Sequence, residues 1–192
     1  MPEVNADVMQ FLQTRRSRPA KTLGLPVPDA AALAPILQAG LRVPDHGKLE
    51  PWRLVVLQGA ALQRLAQLTG TRGAALGYEP ERIAKAQGQF GDAHLVIAVV
   101  ACPVPSEKVP EVEQILSSGC VCLSLLNAAA AAGWGANWLT GWMALDQEFL
   151  HQGLGLSGAE FVAGFIHVGT ETSAPPERPR PDVAAKTTWV SA

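Results

Sequence analysis

Cysteine is scarce in this 192-residue chain: Cys102, Cys120 and Cys122 are the only three. Their number is odd and no C-x-x-C spacing occurs, so any disulfide scheme leaves a thiol over. A reducing cytoplasm is therefore expected. A G-x-G-x-x-G fingerprint, a Walker loop, a G-x-S-x-G elbow and an H-E-x-x-H pair are all missing, which argues against Rossmann, P-loop, hydrolase-elbow and zinc-protease chemistry. No partner for a thiol nucleophile and no carboxylate pair stands out. Metal binding is not expected either. His94 reads as a strand-end residue and His167 as a satisfied core residue, and neither has ligand spacing. A basic face is also lacking. The formal net charge is −2 and the isoelectric point about 6.1, which speaks against nucleic acid as the main partner. No comfortable membrane span is present, because the most apolar stretch, Cys120 to Ala132, is too short and carries Ser124 and Asn127. The first residues place acids before basic residues, the reverse of a secretory signal.

What is present suits one domain with an extended arm: 48% of the residues are hydrophobic, enough for a full core. Helical periodicity is expected over Val4–Thr14, Ala31–Leu41, Ala60–Leu68 closed by Gly70, Ile115–Ala132 and Gln147–Leu154. Strands are expected at Trp52–Leu57, Ala93–Cys102 and Phe161–Val168, the second being a continuous β-branched run of the kind buried on both faces. Thr71–Gln89 has low apolar density and reads as partly helical and exposed, or as a mobile cover. After Gly169 the composition shifts, with Pro175, Pro176, Pro179 and Pro181 ruling out a core element. Trp189 and Val190 at its end suggest an arm that docks on another surface.

Three stretches carry candidate chemistry. Arg15, Arg16, Ser17 and Arg18 stand at the end of the first helix. They either complement the negative end of its dipole or converge as an oxyanion site for a phosphate. Arg42 to Leu54 compresses a helix end, a polar turn bracketed by Pro44 and Pro51, and the start of a strand. It reads as an ordinary surface loop or as a rigid binding turn. Gly133 to Met143 is dense in glycine and tryptophan. The four-residue recurrence of Trp134, Trp138 and Trp142 reads as core packing, or as a wall where backbone approaches a flat ring system. Together these parts suit a bound phosphorylated aromatic cofactor better than side-chain catalysis.

The segments RRS at Arg15 to Ser17, RVPDHGKLEPWRL at Arg42 to Leu54, SLLNAAAAAGWGANWLTGW at Ser124 to Trp142 and FIHVGT at Phe165 to Thr170 resemble the FMN-dependent nitroreductase family, in particular its compact YdjA-type NAD(P)H nitroreductases. The match runs in order over nearly the entire chain. The resemblance implies an α+β fold, a nitroreductase-like α/β/α sandwich with a small, mainly antiparallel sheet. It also implies an interlocked homodimer in which residues 1–170 form the FMN-binding domain and residues 171–192 an arm on the partner subunit. The apolar helix would lie at the dimer core.

By the same resemblance, Arg15, Arg16 and Ser17 hold the FMN phosphate and ribityl chain, and Arg42 and His46 reach that flavin from the partner subunit. Trp138, Leu139 and Thr140 line the flavin, and the segment Ala128, Ala129, Ala130, Ala131, Ala132 and Gly133 meets the nicotinamide nucleotide. The implied activity is ping-pong hydride transfer from NAD(P)H through FMN to nitroaromatic or quinone acceptors, with no catalytic side chain required. A same-fold flavoenzyme of different chemistry, or a flavin-binding module without turnover, are the alternatives. Two positions depart from the pattern. Leu139 stands where those relatives carry arginine, and Pro19 stands where many members carry a basic residue. Arg18 or Lys21 would then supply charge to the flavin N1 and O2 edge, and Arg178 or Arg180 would reach the phosphate from the arm.

Overall fold

The computed structural model describes residues 3–191; Met1, Pro2 and Ala192, which the expected domain and arm include, lie outside the described residues. Its elements in chain order are α1 (Ala6–Thr14), β1 (Leu23–Gly24), α2 (Ala30–Gly40), β2 (Trp52–Gln58), α3 (Ala60–Ala75), α4 (Pro80–Gly91), β3 (Leu95–Ala101), α5 (Glu111–Ala131), β4 (Gly135–Leu139), α6 (Gln147–Leu154), β5 (Phe161–Glu171) and α7 (Val183–Lys186). Every strand pairing is antiparallel. From one edge the order is β2, β3, β5, and the far side of β5 is shared by β4 and the short β1.

All seven residues of β3 are buried, and the pleat sends them alternately to two separate cores. Leu95, Ile97 and Val99 join Leu33 and Ile36 of α2 and Val121, Leu125 and Ala129 of α5. Val96, Ala98 and Val100 join Leu62 and Leu65 of α3, Phe90 of α4 and Phe149 of α6. The continuous apolar run expected of a strand covered on both sides is thus explained by helix layers above and below, giving an α/β/α sandwich. The register against β5 slips between Val99 and Val100, so that Ala163 is the extra residue of a bulge. Gly164 beside it is required: the Trp138 indole N–H donates to the Ala163 carbonyl at 3.2 Å. A Cβ on Gly164 would meet that indole and come 2.9 Å from the Cys122 sulfur.

Three sequence expectations change or narrow. The helix expected to close at Gly70 continues to Ala75, because Gly70 and Gly73 are where α4 crosses closely: a Cβ at Gly73 would come 2.9 Å from Ile83 Cγ1. Second, of the two readings of Thr71–Gln89 the partly helical, exposed one holds: the segment is the end of α3 and most of α4, which starts on Pro80 and buries only Ala86 and Phe90. Third, Gly135–Leu139 is a strand, with Gly135 opposite Gly169 and Leu139 opposite Phe165. The four-residue tryptophan spacing misleads because four is also a multiple of the strand period of two. Trp138 on β4 points to the α5 side, whereas Trp142, past the strand, packs into the opposite core.

α5 satisfies the span criterion by length and composition, yet its inner face is core: Val121, Cys122 and Leu125 are fully buried. Ser124 ties it to α2 by donating to the Ala39 carbonyl at 2.9 Å. Its outer face leaves Val112, Ile115, Leu116 and Leu123 exposed, and α1 likewise exposes Val8, Met9 and Leu12. On the other side of the sheet, Asp146 caps α6 through Phe149 N at 2.8 Å and takes both Arg72 nitrogens at 2.7 and 3.0 Å. That guanidinium holds the Asp146 carboxyl below its ordinary pKa.

His167 of β5 is buried at 3% exposure, as expected of a core residue, but it is not satisfied: its Nε2 has no partner. Burial pushes its pKa down to about 4, whereas the unfolded ring titrates at about 6.5. Between those values the unfolded chain binds the extra proton, so stability rises with pH across the window and is lost as pH falls through it. A shift of that size corresponds to on the order of 3 kcal/mol once pH is below both values. Chemical unfolding at pH 7, 6, 5 and 4 should therefore show a steeper loss for the natural chain than for His167→Gln; parallel losses in the two proteins would remove His167 as the cause.

Candidate functional site

The end of α1 is fixed to the sheet by backbone contacts. Arg15 terminates the helix with extended backbone, its N–H donating to the Phe11 carbonyl at 2.8 Å. Three residues later the Arg18 N–H donates to the Ala136 carbonyl of β4 at 2.8 Å, and the Asn137 side-chain amide donates to the Arg18 carbonyl. Arg15, Arg16 and Ser17 are thereby held along the rim of β4. The Arg18 guanidinium is committed elsewhere, 3.1 Å from Glu171.

The chain after β5 returns to the same place. Arg16 donates to the carbonyls of Pro175 and Pro176 and lies 3.9 Å from Glu177, which in turn holds Arg180 at 2.9 Å. The result is a cavity of about 360 Å³ lined by Arg15, Arg16, Ser17, Asn137, Glu177, Arg178 and Arg180. Four guanidinium groups and one hydroxyl around one concavity form a donor set for a phosphate. Both arm arginines named from the sequence stand in it.

A second cavity of about 390 Å³ lies further along the same strand and is lined by Lys21, Lys85, Gln89, Asp92, Leu139 and His167, among others. Two of its polar atoms, Gln89 Oε1 and His167 Nε2, are buried without a hydrogen-bond partner. Buried polar atoms of this kind are costly unless something pairs with them. Asn137 belongs to the first cavity and Leu139 to the second. Two residues of strand separate them by roughly 7 Å.

A third cavity of about 340 Å³ joins Arg15, Arg16 and Arg18 to Ala130, Gly133 and Trp134. Of the Ala128–Gly133 segment, Ala130 and Gly133 line this space, Ala129 is buried in the core, Ala128 is half-buried, and Ala131 and Ala132 are exposed. Trp138 faces away from these cavities, into an apolar groove with Ile115, Leu116 and Leu123. Thr140 is exposed just beyond the strand.

The proline-framed bend is rigid, as its sequence implies. Asp45 accepts from Leu49 N at 3.2 Å and Glu50 N at 2.7 Å, while Gly47, Lys48 and Glu50 all adopt positive φ. Ser117 of α5 donates to the Pro44 carbonyl at 2.7 Å and accepts the Trp52 indole N–H at 3.0 Å. His46 Nδ1 sits 2.7 Å from a Glu113 oxygen, and Arg42 is exposed. Neither Arg42 nor His46 lines the arginine cavity of its own protomer.

Sequence reasoning missed Lys85, Gln89 and Asn137. Gln89 and Lys85 had a detectable signal, since they lie one turn apart on α4, beside the buried Ala86 and Phe90. Asn137 had none once β4 went unread.

Comparison with known proteins agrees with this architecture. A family model described as the nitroreductase family matches residues 13–170. The Escherichia coli (strain K12) protein named "Putative NAD(P)H nitroreductase YdjA" is 33% identical over 164 residues, 85% of this chain and 88% of the relative. A nitroreductase-like family protein from Bacillus cereus superposes with a TM-score of 0.81 at 19% identity, covering 100% of both chains. A nitroreductase with bound FMN from Bacteroides fragilis NCTC 9343 gives 0.72 at 18% identity, covering 97% of this chain and 100% of its own. On the family match and the extent of identity, with the antiparallel sandwich in agreement, this chain belongs to the nitroreductase family and is an oxidoreductase of that type.

Proposed function

We propose that the protein is an FMN-dependent oxidoreductase that transfers hydride from NAD(P)H to nitroaromatic or quinone-type acceptors by ping-pong turnover, working as a cytoplasmic homodimer. The observation that carries this reading is the placement of the two cavities along β4: a four-arginine cradle at Asn137 and, at Leu139, a pocket with unpaired buried polar atoms. The cradle suits a phosphate. The pocket would suit the polar pyrimidine edge of an isoalloxazine, because Gln89 and His167 among its lining residues each keep a buried polar atom without a partner. The FMN-bound relative and the NAD(P)H in the name of the YdjA relative support the same cofactor and reductant.

FMN held there would supply the hydride chemistry between the reduced nucleotide and the acceptor. The chain positions and polarises. Arg15, Arg16, Ser17, Arg178 and Arg180 fix the phosphate. Lys21, in the second cavity and not engaged by a carboxylate, supplies the cation that Pro19 and Leu139 do not. Arg18 is excluded from that task by Glu171. Leu139 would border the ring system, whereas Trp138 lies on the opposite face and Thr140 just past the strand; Ala130 and Gly133 of the Ala128–Gly133 segment border the space where the nucleotide would approach.

Dimerisation is supported by apolar surface the protomer leaves uncovered: the outer face of α5, the α1 stripe, Trp138, and Trp189 and Val190 of the arm at 90% and 83% exposure. Covering these faces with a second copy lets the rigid bend carry Arg42 and His46 to the partner's flavin, and lets residues 171–192 lie across the partner beyond their contact with Arg16.

Three measurements check this reading. Arg15→Ala combined with Ser17→Ala removes two charge-assisted contacts of about 1.5–3 kcal/mol each, so FMN affinity should fall by roughly 100-fold or more and the purified protein should be colourless. Full retention of flavin would refute the phosphate site. Anaerobic titration of the holoprotein with NADH and NADPH should bleach its visible flavin band, and a nitroaromatic or quinone should restore it; unbleached flavin would mark a binding module without turnover. Lys21→Met should lower the flavin midpoint potential by about 30 mV, equivalent to about 1.4 kcal/mol for a two-electron couple. An unchanged potential would place the cation elsewhere.

A further inference from the structure

The arginine cradle holds one anionic side chain of its own. Glu177 is joined to Arg180 at 2.9 Å and faces Arg16 at 3.9 Å, and it lines the same cavity as Arg15, Ser17 and Arg178. The same Arg16 Nη1 that faces Glu177 donates to the carbonyls of Pro175 and Pro176, two residues and one residue before it. A carboxylate and a phosphate present similar oxygen acceptors to a guanidinium fork, so both draw on the same donors. A phosphate monoester entering the cradle must also sit beside this negative charge.

We propose that Glu177 is an internal competitor for the cofactor phosphate: in the flavin-free chain it occupies the arm and helix-end arginines as a stand-in anion, and it yields them when the phosphate binds. The inference rests on the phosphate reading above and adds a residue that sets cofactor affinity and discriminates by charge. The side chain of Glu177 is 65% exposed and that of Arg180 53%. Their direct attraction is therefore that of a surface pair, and the repulsion of the incoming dianion adds to it. Both contributions are screened by salt. Riboflavin, which carries no phosphate, gains nothing from the exchange.

The test uses the full chain stripped of flavin, with affinities read from quenching of flavin fluorescence at low and at high salt. Glu177→Gln should bind FMN about fivefold more tightly at low salt, with the gain shrinking at high salt, riboflavin unchanged, and inorganic phosphate a stronger competitor. Glu177→Asp should stay near the natural chain. Glu107→Gln, the same charge change on an exposed loop residue, should not reproduce the gain. Unchanged or weaker FMN binding in Glu177→Gln, in a natural chain that still prefers FMN to riboflavin, overturns the competitor role and leaves the cradle standing. An equal gain from Glu107→Gln also overturns it, by showing a general field effect. No preference for FMN over riboflavin in the natural chain sinks the cradle and the proposal together.

Discussion

The docking of one extended tripeptide onto the rim of one strand positions everything that gives this molecule a site. The Arg18 N–H on the Ala136 carbonyl, answered by the Asn137 amide on the Arg18 carbonyl, works like an added rung of sheet. Backbone hydrogen bonds fix the direction of a chain more tightly than side-chain pairs between exposed charges, which contribute little and move freely. Arg15, Arg16 and Ser17 therefore project from a stationary backbone, and the second cavity begins two residues along the same strand. The sandwich is what keeps β4 still: it pairs with β5, which pairs with β3, which is buried on both faces.

This architecture also separates two kinds of surface on a single strand. Strand alternation turns Leu139 toward the polar cavity with Lys21 and His167 and turns Trp138 to the opposite side, over the apolar groove of α5. The bulge at Ala163 and the bare Gly164 make room for the indole there. The two faces of this edge therefore present different chemistry one residue apart. Elsewhere, Asp45, Ser117 and Trp52 fix the shape of the proline-framed bend.

The most legible elements in the sequence were those in which one physical signal dominates. β3 reads directly because seven consecutive apolar residues, three of them valine and one isoleucine, suit only a strand covered on both sides. Arg15, Arg16 and Ser17 were legible only in part: with Arg18 they make three cations at a helix end, which suits either the helix dipole or an anion, and the family resemblance chose between the two. β4 did not read, because the glycines and tryptophans in and around it show no strand pattern and its strength lies in pairing with β5, much later in the chain. The end of α3 did not read because Gly70 and Gly73 look like helix terminators until α4 is seen pressed against them. Gln89 has only the weak mark of its place beside buried residues on α4; its meaning comes from an unpaired oxygen in a cavity shared with a buried histidine far away in sequence. The likeness to a family named the fold, the arginines and the pair Arg18 or Lys21, whereas the choice between those two, Gln89 and the place of Glu177 came only from the coordinates.

The two cavities differ in electrostatic layout. The arginine cavity lies near the surface, with Glu177 and Arg180 more than half exposed. The second cavity is different, because it reaches buried polar groups, where water weakens a contact less. That cavity is where the structure places a buried imidazole kept neutral by desolvation and an amide oxygen without a partner, with Lys21 at the margin. A protonated His167 would carry a fixed positive charge into the core whether or not a ligand was present, and the fold would lose stability for it. Neutral and unpaired, it keeps a fixed charge out of the core while leaving one hydrogen bond unmade. Charge at this cavity stays on exposed side chains, Lys21, Lys85 and Asp92.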